Sequence, residues 1–168
     1  MPKLIDHSGE RTGDPWITYA GDAHAIPAGA CVILPLTEFR EFAGTWKNHA
    51  KALGVLLSPS DSLELIANDL DKLRLIAIDF PVFTDGRGYS LAHALRSRYG
   101  WRGELRAVGD IQQDQIYLLT RSGFDTFALR DDQRANECVA ATDDFTHAYQ
   151  WGADRFGARP GPQVRYGA

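Results

Sequence analysis

The chain has 168 residues, 44% hydrophobic and 24% charged, with a net charge of −4, which fits a single globular domain and excludes a disordered or fibrous protein. The acidic balance offers no bulk attraction to nucleic acid or to an anionic membrane. No apolar run approaches the roughly 20 residues of a membrane helix, and the N-terminus MPKLIDHSGERTGD is too polar for a signal peptide, so a cytoplasmic protein is expected. Cys31 and Cys138 lie far apart in apolar settings without a CxxC or zinc-knuckle spacing, and they read as buried free thiols. His7, His24, His49, His93 and His147 form no HxH or HExxH pattern, which argues against a transition-metal site.

In chain order, residues 1–29 read as an N-terminal arm. Its strong apolar cluster, Trp16, Ile17 and Tyr19, suits a short antiparallel edge. From residue 30 the chain alternates. CVILPL (31–36) predicts a strand and FREFAGTWKNHAKAL a helix; GVLLS (54–58) predicts a second strand and SDSLELIANDLDKL a second helix. In that helix Leu63, Ile66, Ala67 and Leu70 share one face, and Asp61 with Glu64 resembles a capping box. LRLIAIDF (73–80) predicts the third strand. SLAHALRSRYG follows as a helix with Gly100 as its C-terminal cap. ELRAVGD (104–110) is the fourth strand, QQDQIYLLTRSG a helix closed by Gly123, and DTFALR (125–130) the fifth strand. A last helix is expected from about 134 to 152. The tail RFGARPGPQVRYGA is rich in Gly, Pro and Arg, so residues 153–168 are expected to be a flexible appendage to a domain spanning 1–152.

Strands alternating with helices imply parallel strands joined by right-handed crossovers. The first three runs lack strict alternation, as strands covered on both faces do. The fourth alternates, with Glu104, Arg106 and Val108 opposing Leu105 and Ala107, so one of its sides is expected to be more polar. Two α/β architectures fit. One is an open, doubly wound, five-stranded, mainly parallel sheet with helices on both faces. The other is half of a (β/α)8 barrel, completed by a partner or left open, since a full barrel takes about 250 residues. The open sheet is preferred because an isolated half-barrel exposes an apolar concavity.

In parallel α/β folds ligands bind beyond the carboxyl ends of the strands. That rule singles out Pro35, Thr37 and Glu38; Ser58, Ser60 and Asp61; Asp79, Thr84, Asp85 and Arg87; Gly109, Asp110, Gln112, Gln113, Asp114 and Gln115; and Arg130, Asp131 and Asp132. Capping explains Ser58, Ser60 and Asp61, a solvated turn explains Asp131 and Asp132, and Asp110 suits an N-cap. DFPVFTDGRGYS (79–90) is harder to read as a plain turn. Gly86 and Gly88 would permit positive φ and close backbone approach. The loop opens a helix, where free N–H groups and the dipole favour an anion. Arg87 adds a planar fork for oxyanions. In this reading Ser90 caps a helix starting near Leu91, Asp85 or Asp110 holds Arg87, and the loop faces GDIQQDQ from the next strand. Gly86–Leu91 gives G-x-G-x-x-L, a near miss to a dinucleotide fingerprint that lacks the third glycine and follows too long a loop. Asp79, Asp85 and Asp110 are candidates for proton transfer or Mg²⁺ binding, Asp85 and Asp110 foremost as catalytic groups. No GxSxG, P-loop or Ser–His–Asp order is present.

FPVFTDGRGYSLAHALRSRYGWRGELRAVGDIQQDQIYLLTRSGFDTFAL (80–129) resembles the core of a bacterial family of unknown function, number 934. The resemblance lies in F-x-DGR-x-x-S-x-A-x-x-LR, then G-x-LRA-x-GD, a DQ pair and GFD-x-F, with IPAGACVILPLTEF upstream also similar. Members are commonly encoded beside genes for sulfite reductase and sulfate assimilation, and are often labelled oxidoreductases of sulfite reduction. The resemblance implies a place in sulfur assimilation and cysteine biosynthesis. By motif position it carries Asp85, Gly86, Arg87, Ser90, Arg106, Gly109, Asp110, Asp114 and Gln115 over as candidate site residues, beside Thr84 and Gly88 from the loop itself. The sequence shows no flavin, haem or cluster motif, so no cofactor and no resident metal is expected. Two functions stay open: an accessory protein that binds sulfite reductase, another sulfur-assimilation enzyme or a small anion, and a small enzyme, such as an oxidoreductase, acting on an anionic substrate at the rim. Neither a nucleic-acid nor a membrane partner is expected, and a homodimer is left open.

Overall fold

The computed structural model describes residues 3–19, 26, 28–42 and 50–141. These form a mixed α/β fold around one eight-stranded sheet. The strands are β1 (Lys3–Asp6), β2 (Gly9–Glu10), β3 (Trp16–Thr18), β4 (Ala30–Pro35), β5 (Ala50–Leu57), β6 (Leu75–Phe80), β7 (Glu104–Gly109) and β8 (Thr126–Leu129). The helices are α1 (Leu36–Phe42), α2 (Arg87–Ser97), α3 (Ile116–Ser122) and α4 (Ala135–Ala140).

The sheet order is β2-β1-β8-β7-β6-β5-β4-β3. From β3 to β8 the strands are parallel and follow chain order. This corrects the doubly wound expectation. A doubly wound sheet needs a reversal in strand order to bring helices to both faces. Without one, every right-handed crossover falls on the same face. The arm contributes the three extra strands: β1 pairs antiparallel with both β2 and β8, and β3 joins the far edge in parallel.

The chain itself forces the sheet to curl. Strands β2 and β3 occupy opposite edges, yet only residues 11–15 join them. Eight flat strands would set those edges roughly 34 Å apart. The six residue steps from Glu10 to Trp16 reach at most about 21 Å. The edges must therefore approach, and the sheet becomes a curled half-barrel, the second of the two architectures. The link spans the concave side like a chord.

Alternation along the strands sorts the core. Leu34, Val55, Leu57, Ile76, Ile78, Phe80, Leu105, Ala107 and Phe127 face the helices and pack with Phe39, Ile66, Leu95, Ile116 and Leu119. On the concave face Ile33, Leu75 and Ala77 pack with Trp16, Leu56 and Val108. The expected polarity of one side of β7 also lies here. Glu104 and Arg106 reach into the concavity, where an ion-pair chain runs Asp6–Arg11–Glu104–Arg106–Asp14. The linking segment is thus pinned across the concave face by Arg11 and Asp14.

Two expected helices differ. Residues 50–53, placed in the helix after the first central strand, already belong to β5. The segment before β6 forms two 3₁₀ turns, Leu63–Leu65 and Ala67–Lys72, instead of an α-helix. Spacing of three residues puts Leu63 and Ile66 on one side of either helix type, so that periodicity does not separate them. The Asp61–Glu64 capping box does not form; Asp61 Oδ2 accepts the Ser58 N–H at 2.7 Å and holds a turn. Gly123 does close α3, with φ of 105° and its N–H donating to the Leu119 and Thr120 carbonyls. Both cysteines are free, and Cys138 is buried. The continuation of the last helix from 142, the boundary at 152 and the tail lie outside the described residues. No helix among the described residues is long and apolar enough to cross a membrane.

Candidate functional site

The carboxyl ends of β6, β7 and β8 bring three loops together, and their side chains stitch them into one rim. The loop after β6 is organised by Asp85. Its Oδ1 accepts the Arg87 N–H at 3.1 Å and the Arg87 Nε–H at 3.0 Å, and its Oδ2 accepts from Nη2 at 2.7 Å. These hydrogen bonds from Arg87 hold the Asp85 carboxyl below its ordinary range. The Arg87 side chain is 63% exposed.

The two glycines do different work from that expected. Gly86 has an ordinary φ of −76°, and α2 begins at Arg87, not near Leu91. Ser90 is therefore an exposed residue inside α2, with no capping bond to make. Gly88 is buried in the first turn of α2. A Cβ there would stand 2.6 Å from the Phe80 ring, so the glycine lets α2 settle on β6. Neither glycine adopts the positive φ expected of it. Thr84 is exposed.

Asp110 is not the partner of Arg87. Its Oδ1 accepts from Arg130 Nη1 at 2.8 Å and its Oδ2 accepts the Phe83 N–H at 3.1 Å. Arg130 in turn forms a bidentate pair with Asp132, at 3.0 and 2.8 Å. Hydrogen bonds from Arg130 lower the pKa of both Asp110 and Asp132. Gln115 is buried. Its Oε1 accepts the Gln112 N–H at 2.9 Å, completing a capping box, and its Nε2 donates to the Phe83 carbonyl at 3.0 Å. The loop 81–86 thus faces 110–115 as the sequence implied. Gly109 makes that turn possible: its φ is +98°, and a Cβ would meet the Phe80 carbonyl oxygen at 2.5 Å and Asp79 Oδ1 at 2.6 Å.

Asp114 lines a cleft of about 460 Å³ with Gln112, Gln113, Tyr117, Gln133 and Ala141. Arg106 does not join the rim. It is buried on the concave face, bonded to Asp14 at 2.6 and 3.2 Å and to Glu104 at 3.2 and 2.9 Å. Its guanidinium is thus engaged in the fold.

Asp85 and Asp110, the foremost catalytic candidates, are both ion-paired and held ionised, which makes them weak proton acceptors. Asp79 behaves differently. It is half-buried, burial raises its pKa against one opposing hydrogen bond from the Phe80 N–H, and alternation along β6 sets it on the concave face above Ala77. Among the described residues no group of three His, Cys, Asp or Glu side chains is arranged to hold a metal ion.

Two features of the site, Phe83 and Arg96, lay outside the residues singled out from the sequence. Phe83 is held from both sides through its main chain. Arg130 and Asp132 were singled out at the end of the fifth strand, with Asp132 read as a solvated turn, and they pair across the same i, i+2 spacing as Asp85 and Arg87. Arg96, in the LR of the motif, is buried. It donates to the carbonyls of Gly123 at 2.9 and 2.8 Å, Trp101 at 2.9 Å and Gly103 at 3.0 Å, and to Asp125 at 2.7 Å.

A curled half-barrel with a rim of paired arginines defines the class: an α/β protein whose exposed, ordered polar groups gather at the carboxyl ends of its parallel strands. The chain belongs to the family described as "Bacterial protein of unknown function (DUF934)", whose model matches residues 54–158. That span holds β6 to β8 and the whole rim, and leaves out the first four strands. No curated protein matches the chain.

Proposed function

We propose that the chain is a cytoplasmic accessory protein of assimilatory sulfite reduction that works by binding sulfite reductase through the rim. The pathway comes from the resemblance of the DGR, GD and GFD segments to a family commonly encoded beside sulfite reductase genes. The mode of action comes from the charge at the rim. Segments 81–87, 110–115 and 130–137 carry six carboxylates against three arginines, and each of those arginines already holds a carboxylate. A free sulfite or sulfate would have to displace an intramolecular partner and approach an excess of negative charge. A protein surface brings its own cations and suffers neither cost. The test is to add the purified chain to sulfite reductase holoenzyme and measure complex formation by calorimetry and the rate of sulfite reduction. A complex with an altered reductase rate is expected. The absence of any complex overturns the reading.

A second reading, a small enzyme acting on an anionic substrate, is favoured by Asp79 alone. A half-buried carboxyl with a raised pKa suits proton transfer. Turnover by the isolated chain that disappears in Asp79→Asn would select it over the accessory role.

A further inference from the structure

Among the described residues, Ile17, Leu65, Val82, Phe83 and Leu118 are the large hydrophobic side chains left exposed. Val82 and Phe83, 52% and 50% exposed, are the two that adjoin. An unconstrained loop would fold an aromatic ring onto the nearest apolar surface. This loop is constrained at the residue itself. Asp110 accepts the Phe83 N–H and Gln115 donates to the Phe83 carbonyl. Asp110 is steadied by Arg130, which Asp132 clamps, and Gln115 is buried in its capping box. The loop is ordered by polar groups on neighbouring elements while its apolar side chains point outward. Such an arrangement presents an aromatic anchor at little further entropic cost on binding.

We propose that Val82 and Phe83 form a docking knob that enters an apolar pocket of a partner protein whose surface around that pocket is basic. The proposal rests on the reading that the chain acts by binding, and it names the surface used. The sign of the partner follows from the surroundings of the knob. Asp110 and Asp132 share one arginine, and Asp114 and Asp131 add two exposed carboxylates on the same rim. An anionic lipid surface has the wrong charge for this rim, and so does a second copy of it.

The experiment measures affinity for sulfite reductase holoenzyme with wild type, Phe83→Ser and Asp131→Lys, each first shown to melt at the wild-type temperature. Phe83→Ser should weaken binding at least tenfold. Asp131→Lys should slow association and flatten its dependence on salt. A wild-type complex that Phe83→Ser leaves intact overturns the knob while the accessory role stands. No wild-type complex overturns both. Two further controls also count against the proposal: a homodimer in sedimentation that Phe83→Ser dissolves, or binding to phosphatidylglycerol vesicles that the same change abolishes.

Discussion

Arg96 and Arg106 are buried and commit their guanidiniums to the protein, whereas Arg87 and Arg130 stand at the rim with side chains 63% and 42% exposed. All four are paired with carboxylates, so pairing does not tell the two groups apart. Exposure to solvent does. A guanidinium removed from water must have every donor met inside, and Arg96 meets all five with four carbonyl contacts and one carboxylate. An exposed guanidinium held by one acid is ordered yet still reachable. The buried arginines join elements distant in sequence: α2 to the start of β8 through Arg96, and the 11–15 link to β7 through Arg106. The exposed ones organise only their own loops and the neighbouring rim.

That contrast is broken most severely by Arg96→Met. The change leaves the Asp125 carboxylate and three carbonyls without their buried donor, and should cost about 3–5 kcal/mol of stability. Arg106→Met should cost less, about 2–3 kcal/mol, because Glu104 keeps Arg11 and Thr126 as partners. Denaturant unfolding of both variants checks the order.

A smaller effect sharpens the role of the concave ion-pair chain. Burial raises the Asp6 pKa, but hydrogen bonds from Ser8 and Arg11 outweigh it and bring the value down to about 2. A lowered carboxyl pKa stabilises the fold above the ordinary value and loses that contribution as pH falls through the folded one. Wild type should therefore exceed Asp6→Asn in stability by about 1–2 kcal/mol at pH 5, and the gap should close toward pH 2.

The smallest effect on the fold is expected at the rim. Arg87→Ala should unfold at the wild-type denaturant midpoint, since its pair with Asp85 lies in water. Sulfite, sulfate and phosphate should leave the melting temperature of both proteins alike. A shift with sulfite that Arg87→Ala removes would restore a small-anion role for the loop.

Much of this was legible in the chain. The apolar runs ending at Leu36, Ser58 and Phe80 announced parallel strands because a strand covered on both faces is apolar throughout. The alternation of Glu104, Arg106 and Val108 announced a polar second face on β7. Gly123 was legible as a helix-closing position and has positive φ, whereas Gly86 and Gly88, where positive φ was expected, do not adopt it, and Gly109 does. DGR was readable as an ordered acid–arginine turn, since an aspartate two residues before an arginine reaches both its main chain and its fork.

Other features were not legible, because they depend on contacts between elements far apart in sequence. The sequence could not say that strand order never reverses; that follows from which strands meet, and it placed all crossovers on one face. It could not say that 11–15 spans two sheet edges and so curls the sheet. Spacing alone did not separate 3₁₀ turns from an α-helix over 63–72. Nor could it divide the motif residues. Arg96 and Arg106 look as functional as Arg87 when written in a line. Only the tertiary structure, by taking two of them out of water and leaving the third in it, decided which are buried in the fold and which stays exposed at the rim.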